Sequence, residues 1–167
     1  VYPRASFNHT RQDYVRGMIE FADGKPLEDN GLKWLEIHVA NCASGDKYGK
    51  LDKYSFRERR QWVSDNVPLL RRIAKDWRDC PELWALSCNS PFQFLAASQA
   101  LCRAIDDDDG DSEARGSRLF HGICALDGTN SGLQHYSAAL RSAAEGRLVN
   151  LIQSEKPEDV YEAVATA

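Results

Sequence analysis

The residue best placed to do chemistry is Asp127. It stands at the end of the apolar-rich run 119–126 and is followed by Gly128-Thr-Asn-Ser131-Gly132, which leads into the amphipathic stretch Leu133-Gln-His135-Tyr-Ser-Ala-Ala-Leu. A short apolar run closed by a Gly and small polar residues reads as a buried strand, a turn and a helix start. A carboxylate at such a strand end, beside accessible backbone, is a hard-oxygen ligand suited to Mg²⁺. The same spacing also suits a helix N-cap. His135, on the helix, has the chemistry to donate to a phosphate or sugar, although a lone helical His also serves as a packing residue. Lys47 lies in the Gly-containing stretch 45–54 after a helical segment. A lysine there is either a solvated surface charge or a point-charge partner for phosphate.

Other spacings carry less. Gly128-Thr-Asn-Ser131-Gly132 is not Gly-x-Ser-x-Gly and makes no nucleophile elbow. His38 and Cys42 stand four apart, but no further pair completes a zinc site. Asp107, Asp109 and Gly110 hint at a calcium loop that Ile105 breaks at its first ligand position, so 106–116 reads as a solvated acidic loop.

The elements that must position Asp127 follow from periodicity and punctuation. Residues 1–8 read as extended, and 13–22 are ambiguous between helix and strand. Gly24-Lys-Pro26 reads as a turn. Leu32, Leu35, Val39 and Ala43 recur at helical spacing across 30–43. Ser55, with Glu58 three residues on, reads as a capping box for a helix to about Asp65. Further helices are expected over 67–77 and 81–86, and from Pro91 through Cys102, where proline at the first position loses no needed N–H. A strand over 119–126, a helix over 130–142, an extended segment over 148–152 and a helix over 157–167, with Glu158 and Asp159 in its first turn, complete the reading. Strands at both margins of a helical middle make an α+β chain, with a mainly helical insertion between two pieces of a sheet-bearing core.

The bulk numbers are compatible with that. Hydrophobic residues make up 43% of the 167, enough for a core. Lys and Arg total 21 against 25 Asp and Glu, a net charge of −4 that argues against nucleic-acid binding by the whole surface but leaves room for a local basic groove. Arg57, Arg59, Arg60, Arg71, Arg72, Lys75 and Arg78 cluster mid-chain, and such clusters are ordinarily solvated helix faces. Five cysteines without a CxxC pair read as free thiols of a reducing cytoplasm, not of a secreted protein. No apolar run approaches bilayer-spanning length. Val1 and Ala167 both lie inside expected elements, which suggests an internal piece of a larger protein.

Taken whole, Asp127-Gly-Thr-Asn-Ser-Gly-Leu-Gln-His-Tyr-Ser-Ala resembles the first metal-binding motif of single-subunit, phage-type DNA-dependent RNA polymerases, a class with phage and mitochondrial branches. The resemblance extends in order along nearly the whole chain. Gly31-Leu-Lys-Trp34-Leu-Glu-Ile-His38-Val-Ala-Asn41 is similar to the family's Trp-Leu-x-Ile-His-x-Ala-Asn segment, and Asp46-Lys47 and Phe56-Arg-Glu-Arg59 follow as they do there. Trp84, Ser90-Pro91-Phe-Gln-Phe-Leu-Ala96, Gly146-Arg147-Leu-Val-Asn150-Leu and Asp159-Val-Tyr161 continue it. The stretches 106–116 and 48–54 look like additions to the phage pattern.

The resemblance implies part of a right-hand polymerase palm. Residues 1–24 would be its first piece, 25–117 a helical palm insertion, 118–143 the strand and helix carrying the catalytic Asp, and 144–167 the start of the fingers. It implies two-metal nucleotidyl transfer, extending RNA from nucleoside triphosphates on a DNA template. Asp127 would be the first metal carboxylate and the Gly128 carbonyl a second oxygen for one of two Mg²⁺ ions. Lys47 would reach the triphosphate of the incoming nucleotide. Ser131, Gly132 and His135 would face the template–product hybrid, where a glycine allows close backbone approach.

The family's second carboxylate sits in a His-Asp-Ser hairpin that these residues do not contain, so the piece alone is expected to be inactive and to need the remainder of the polymerase. The expected setting is cytoplasmic, the host cytoplasm for a phage enzyme, with the organellar branch left open. The competing class is a non-catalytic, polymerase-derived module that binds nucleic acid or a partner. A family-A DNA polymerase shares the carboxylate logic, but Ser131-Gly132-Leu-Gln134 stands where a sugar-discriminating Glu is expected.

Overall fold

The computed structural model describes residues 7–28, 30–43, 50–86, 89–106, 119–124 and 131–166. Its elements run α1 (Asp13–Met18), β1 (Lys25–Pro26), α2 (Gly31–Cys42), α3 (Phe56–Asp65), α4 (Val67–Asp76), α5 (Pro81–Leu86), α6 (Pro91–Asp106), β2 (Leu119–Phe120), α7 (Ser131–Leu140), α8 (Ala143–Leu148) and α9 (Val160–Ala165), with 3₁₀ turns at Leu51–Lys53 and Trp77–Asp79. The architecture is α+β, dominated by helices with one small antiparallel pair. The described chain divides into two compact units. One holds the described residues up to Asp52 and from Arg57 to Cys124; the other holds Lys53–Phe56 and the described residues from Ser131 on.

In the first unit α6 is the axis. Phe94, Leu95, Ala97, Ser98, Leu101, Cys102 and Ala104 are buried along it, and α1, α2, α4 and α5 pack around it. Leu35 and Val39 of α2, Leu70 and Ile73 of α4, and Leu83 and Leu86 of α5 complete the core, each pair at helical spacing. Ser98 is accommodated there because its hydroxyl donates to the Phe94 carbonyl at 2.7 Å. The first turn of α6 leaves backbone N–H groups without partners inside the helix. Asp13 of α1 supplies the acceptors: Oδ2 takes the Phe92 N–H at 2.7 Å and Oδ1 the Gln93 N–H at 3.1 Å. A carboxylate there also complements the helix dipole. α1 comes so close that a Cβ on Gly17 would lie 2.6 Å from the Phe92 carbonyl oxygen, which excludes any larger residue without backbone movement.

Gly24-Lys-Pro26 is not the turn its composition suggests. Lys25 pairs with Phe120 and Pro26 with Leu119, joining the two margins of the helical middle. A two-stranded ladder leaves each strand an open edge, where proline's missing N–H is tolerated. The strand expected over 119–126 is correspondingly short, with β2 ending at Phe120 and 121–124 irregular. The tie continues there, since the Phe21 N–H donates to the His121 carbonyl at 2.8 Å. α6 runs on to Asp106, a turn beyond its expected end.

In the second unit, α8 corrects the extended reading of 148–152. Ser142 caps its start, accepting the Glu145 N–H at 3.4 Å, within a Ser-x-x-Glu spacing. At its end Asn150 adopts φ 59°, the Leu151 N–H reaches the Gly146 carbonyl at 2.8 Å and the Asn150 N–H reaches that of Arg147 at 3.1 Å. This is a Schellman ending with Asn in place of the usual Gly. The apolar run Leu148-Val-Asn-Leu-Ile152 resembled a strand because its side chains cover the helix end instead of alternating across a sheet. α9 starts at Val160, later than expected, because Asp159 is its cap and accepts from the N–H groups of Tyr161 and Glu162 at 2.9 and 3.3 Å.

Candidate functional site

Of the residues singled out for chemistry, Lys47, Asp127 and Gly128 lie outside the described residues. Ser131, Gly132 and His135 all lie on α7. Spacings of three and four residues put them on one face of that helix. All three are exposed, and a Cβ built on Gly132 meets nothing within 4 Å. The face is therefore polar, small and open.

The rest of α7 shows how it is held. Gln134 donates from Nε2 to the Val149 carbonyl at 2.7 Å, fixing the helix to the end of α8. Ser137 is buried, its hydroxyl donating to the Gln134 carbonyl at 3.0 Å. Leu133, Tyr136 and Leu140 form an apolar stripe that, with Leu148, Val149 and Val160, lines a groove of about 320 Å³. Asn150 ties the loop before α9 back to α8. Its Nδ2 donates to the Glu158 carbonyl at 2.8 Å, and its Oδ1 accepts the Glu158 N–H at 2.7 Å.

The arginine cluster is largely engaged within the chain. Arg60 pairs with Glu36 at 2.6 Å, Arg71 with Asp106 and Arg72 with Glu82. Arg59 is buried and donates to Asn41 Oδ1 at 2.9 Å and to the Asp52 carbonyl at 2.6 Å. The Arg78 guanidinium sits 4.5 Å over the Trp77 ring. These contacts support the reading of the cluster as structured helix faces over that of a basic groove.

A second concavity, of mixed polar and apolar lining, was not anticipated from sequence. A cavity of about 30 Å³ is lined by Arg16, His38, Gln93 and Glu20 together with Phe120, Gly122 and Ile123. His38 Nε2 lies 3.9 Å from Cys42 Sγ. Burial lowers the His38 pKa, favouring the neutral imidazole. Burial, and after it the proximity of Cys124 and Asp13, pushes the Cys42 thiol up to about 12, against the opposing charge of Arg16. Cys42, Cys80, Cys102 and Cys124 are free thiols. Among the described residues no three His, Cys, Asp or Glu side chains gather to hold a metal. The one signal that could have drawn attention to Arg16 is a lone charge between Val15 and the tightly packed Gly17.

A family model described as DNA-dependent RNA polymerase matches residues 25–167. The mitochondrial DNA-directed RNA polymerase of Schizosaccharomyces pombe is 40% identical over 166 residues, covering 98% of this chain and 13% of that protein. The mitochondrial enzyme of Neurospora crassa is 36% identical over 158 residues, 95% of this chain and 10% of its own length. The chloroplastic/mitochondrial DNA-directed RNA polymerase 2 of Arabidopsis thaliana is 36% identical over 162 residues, 95% of this chain and 15% of its own length. The chain thus spans between 10% and 15% of the length of these relatives.

Proposed function

Because this chain belongs to the DNA-dependent RNA polymerase family, we propose that it is the part of a DNA-directed RNA polymerase that contributes the first metal-binding carboxylate. The match along nearly the whole chain carries this reading, since it takes in Asp127 and the helix after it. The parent enzyme extends RNA from nucleoside triphosphates on a DNA template. Residues 1–24 and 118–143 belong to its palm, 25–117 to the palm insertion and 144–167 to the start of the fingers. The relatives are named for mitochondria and chloroplasts, which supports an organellar setting over the cytoplasmic one.

Asp127 and the Gly128 carbonyl offer only hard oxygens, a donor set that fits Mg²⁺, which keeps several waters and needs few protein ligands. Two such ions, when bound, supply the Lewis acidity and charge neutralisation of an in-line phosphoryl displacement. Asp127 supplies the first metal-binding carboxylate. Lys47 supplies a point charge to the triphosphate. Ser131, Gly132 and His135 present the small polar face of α7 to the hybrid, and the open space around Gly132 supports that role. With one carboxylate of the metal pair, the chain alone does not extend RNA.

Asp127→Asn in the complete enzyme tests this. The expected result is loss of primer extension with promoter binding retained. Near-normal elongation by that variant overturns the metal assignment.

A further inference from the structure

We propose that Arg16 is a phosphate-contacting residue of the polymerase, an inference that rests on the reading above. Among the described residues the Arg16 side chain has no hydrogen-bond or ion-pair partner, and its Nε is buried without an acceptor. A guanidinium always carries its charge and presents its donors as a rigid fork matched to carboxylate and phosphate. Leaving a buried donor of that group unmet is costly.

The carboxylates nearest it in the chain accept hydrogen bonds from other groups. Asp13, one turn earlier, spends both oxygens on the Phe92 and Gln93 N–H groups and on Gln93 Nε2. Glu20, four residues on and lining the same cavity, is turned to Arg103 Nη2 at 3.4 Å. Cys42, which the Arg16 charge reaches, stays a neutral thiol near pH 7 because burial pushes it up to about 12.

The position also has rigidity and location. α1 is fixed by the Asp13 cap and by the close approach of Gly17 to α6, so Arg16 is pre-placed. The cavity it lines is walled by Gly122 and Ile123, five and four residues upstream of Asp127 in the chain. At about 30 Å³ the cavity admits water-sized groups and excludes a nucleoside. What can reach Arg16 from there is a single phosphate oxygen, of either a phosphodiester of the template–RNA hybrid or the triphosphate of the incoming nucleotide.

The complete polymerase is made as Arg16→Gln, Arg16→Met and Arg16→Lys. Each is tested for binding to a DNA template annealed to a short RNA primer across a salt series, and for the NTP KM in primer extension. Gln and Met are expected to weaken one of these by about tenfold, and Lys, which keeps the charge without the fork, to restore part of it. A fall in hybrid affinity with the salt slope reduced by about one identifies a phosphodiester. A rise in NTP KM with an unchanged slope identifies the triphosphate. No change in either assay for Gln and Met overturns the proposal, as does a loss of extension with hybrid affinity, salt slope and NTP KM all unchanged, which marks a packing effect. If the unmodified enzyme does not extend the primer, the polymerase reading itself fails; normal extension by every variant removes only the role of Arg16.

Discussion

At the scale of single residues, the sharpest contrast is between what α7 presents and what it needs for folding. Gly132 has no steric reason to be glycine, since a Cβ there meets nothing within 4 Å. Glycine inside a helix costs about 1 kcal/mol relative to alanine. A glycine on an exposed polar face leaves room for a ligand's close approach, the role proposed for Gly132. Gly132→Ala is therefore expected to raise stability by about 0.5–1 kcal/mol, while slowing extension by the complete polymerase by about one to two orders of magnitude through misplacement of the hybrid. Denaturant melts and single-turnover extension check the two halves separately. A stabilised variant that extends at the normal rate takes Gly132 out of the nucleic-acid face.

At the scale of elements, the site helix depends on short connections that carry unusual geometry. α7 is held by Gln134 to the end of α8, and α8 ends in a left-handed Asn150 whose side chain also brackets the backbone of Glu158. Asn tolerates this conformation better than other residues with a Cβ. Asn150→Ala loses both the tolerance and the two hydrogen bonds, a destabilisation of about 2–3 kcal/mol. Asn150→Gly recovers the backbone term only and should fall between. Amide hydrogen exchange over α8 and α9 reports this directly. Unchanged protection in the alanine variant means that the side chain does not hold the loop.

At the scale of the molecule, the two units are built differently. The first has a continuous core around α6. The second buries few side chains and exposes Tyr136, Leu140, Tyr161 and Val164 at 70% or more each. Contiguous exposed apolar side chains of this kind mark a surface that packs on another partner. Among the described residues no helix is long and apolar enough to cross a membrane. In the first unit His38 gives a pH signature. Burial lowers its pKa in the fold, so the unfolded chain takes up its proton first, near pH 6.5. Stability is full above that pH and declines as pH falls below it toward the lowered folded value. Thermal melts between pH 7.5 and 5 should show this decline, and His38→Gln should flatten it. An equal slope in the variant assigns the decline to other groups.

Much of this was legible in the residue order. Leu35 and Val39, Leu70 and Ile73, and Leu83 and Leu86 announce their helices by spacing, because helix burial repeats every three to four residues whatever the neighbour is. Pro91 marks the start of α6 for a reason internal to one peptide unit. The small polar face of Ser131, Gly132 and His135 is likewise a local consequence of helical period. The tertiary structure decided what depends on residues far apart in the chain. Lys25-Pro26 is a strand because Leu119-Phe120 lies beside it, and Asp13 is a helix cap because the start of α6 folds back to it. Arg16 stands unpaired because Asp13 and Glu20 are drawn to Gln93 and Arg103. No local period or propensity encodes which distant partner a charge will find, so that result emerges only when the helices pack.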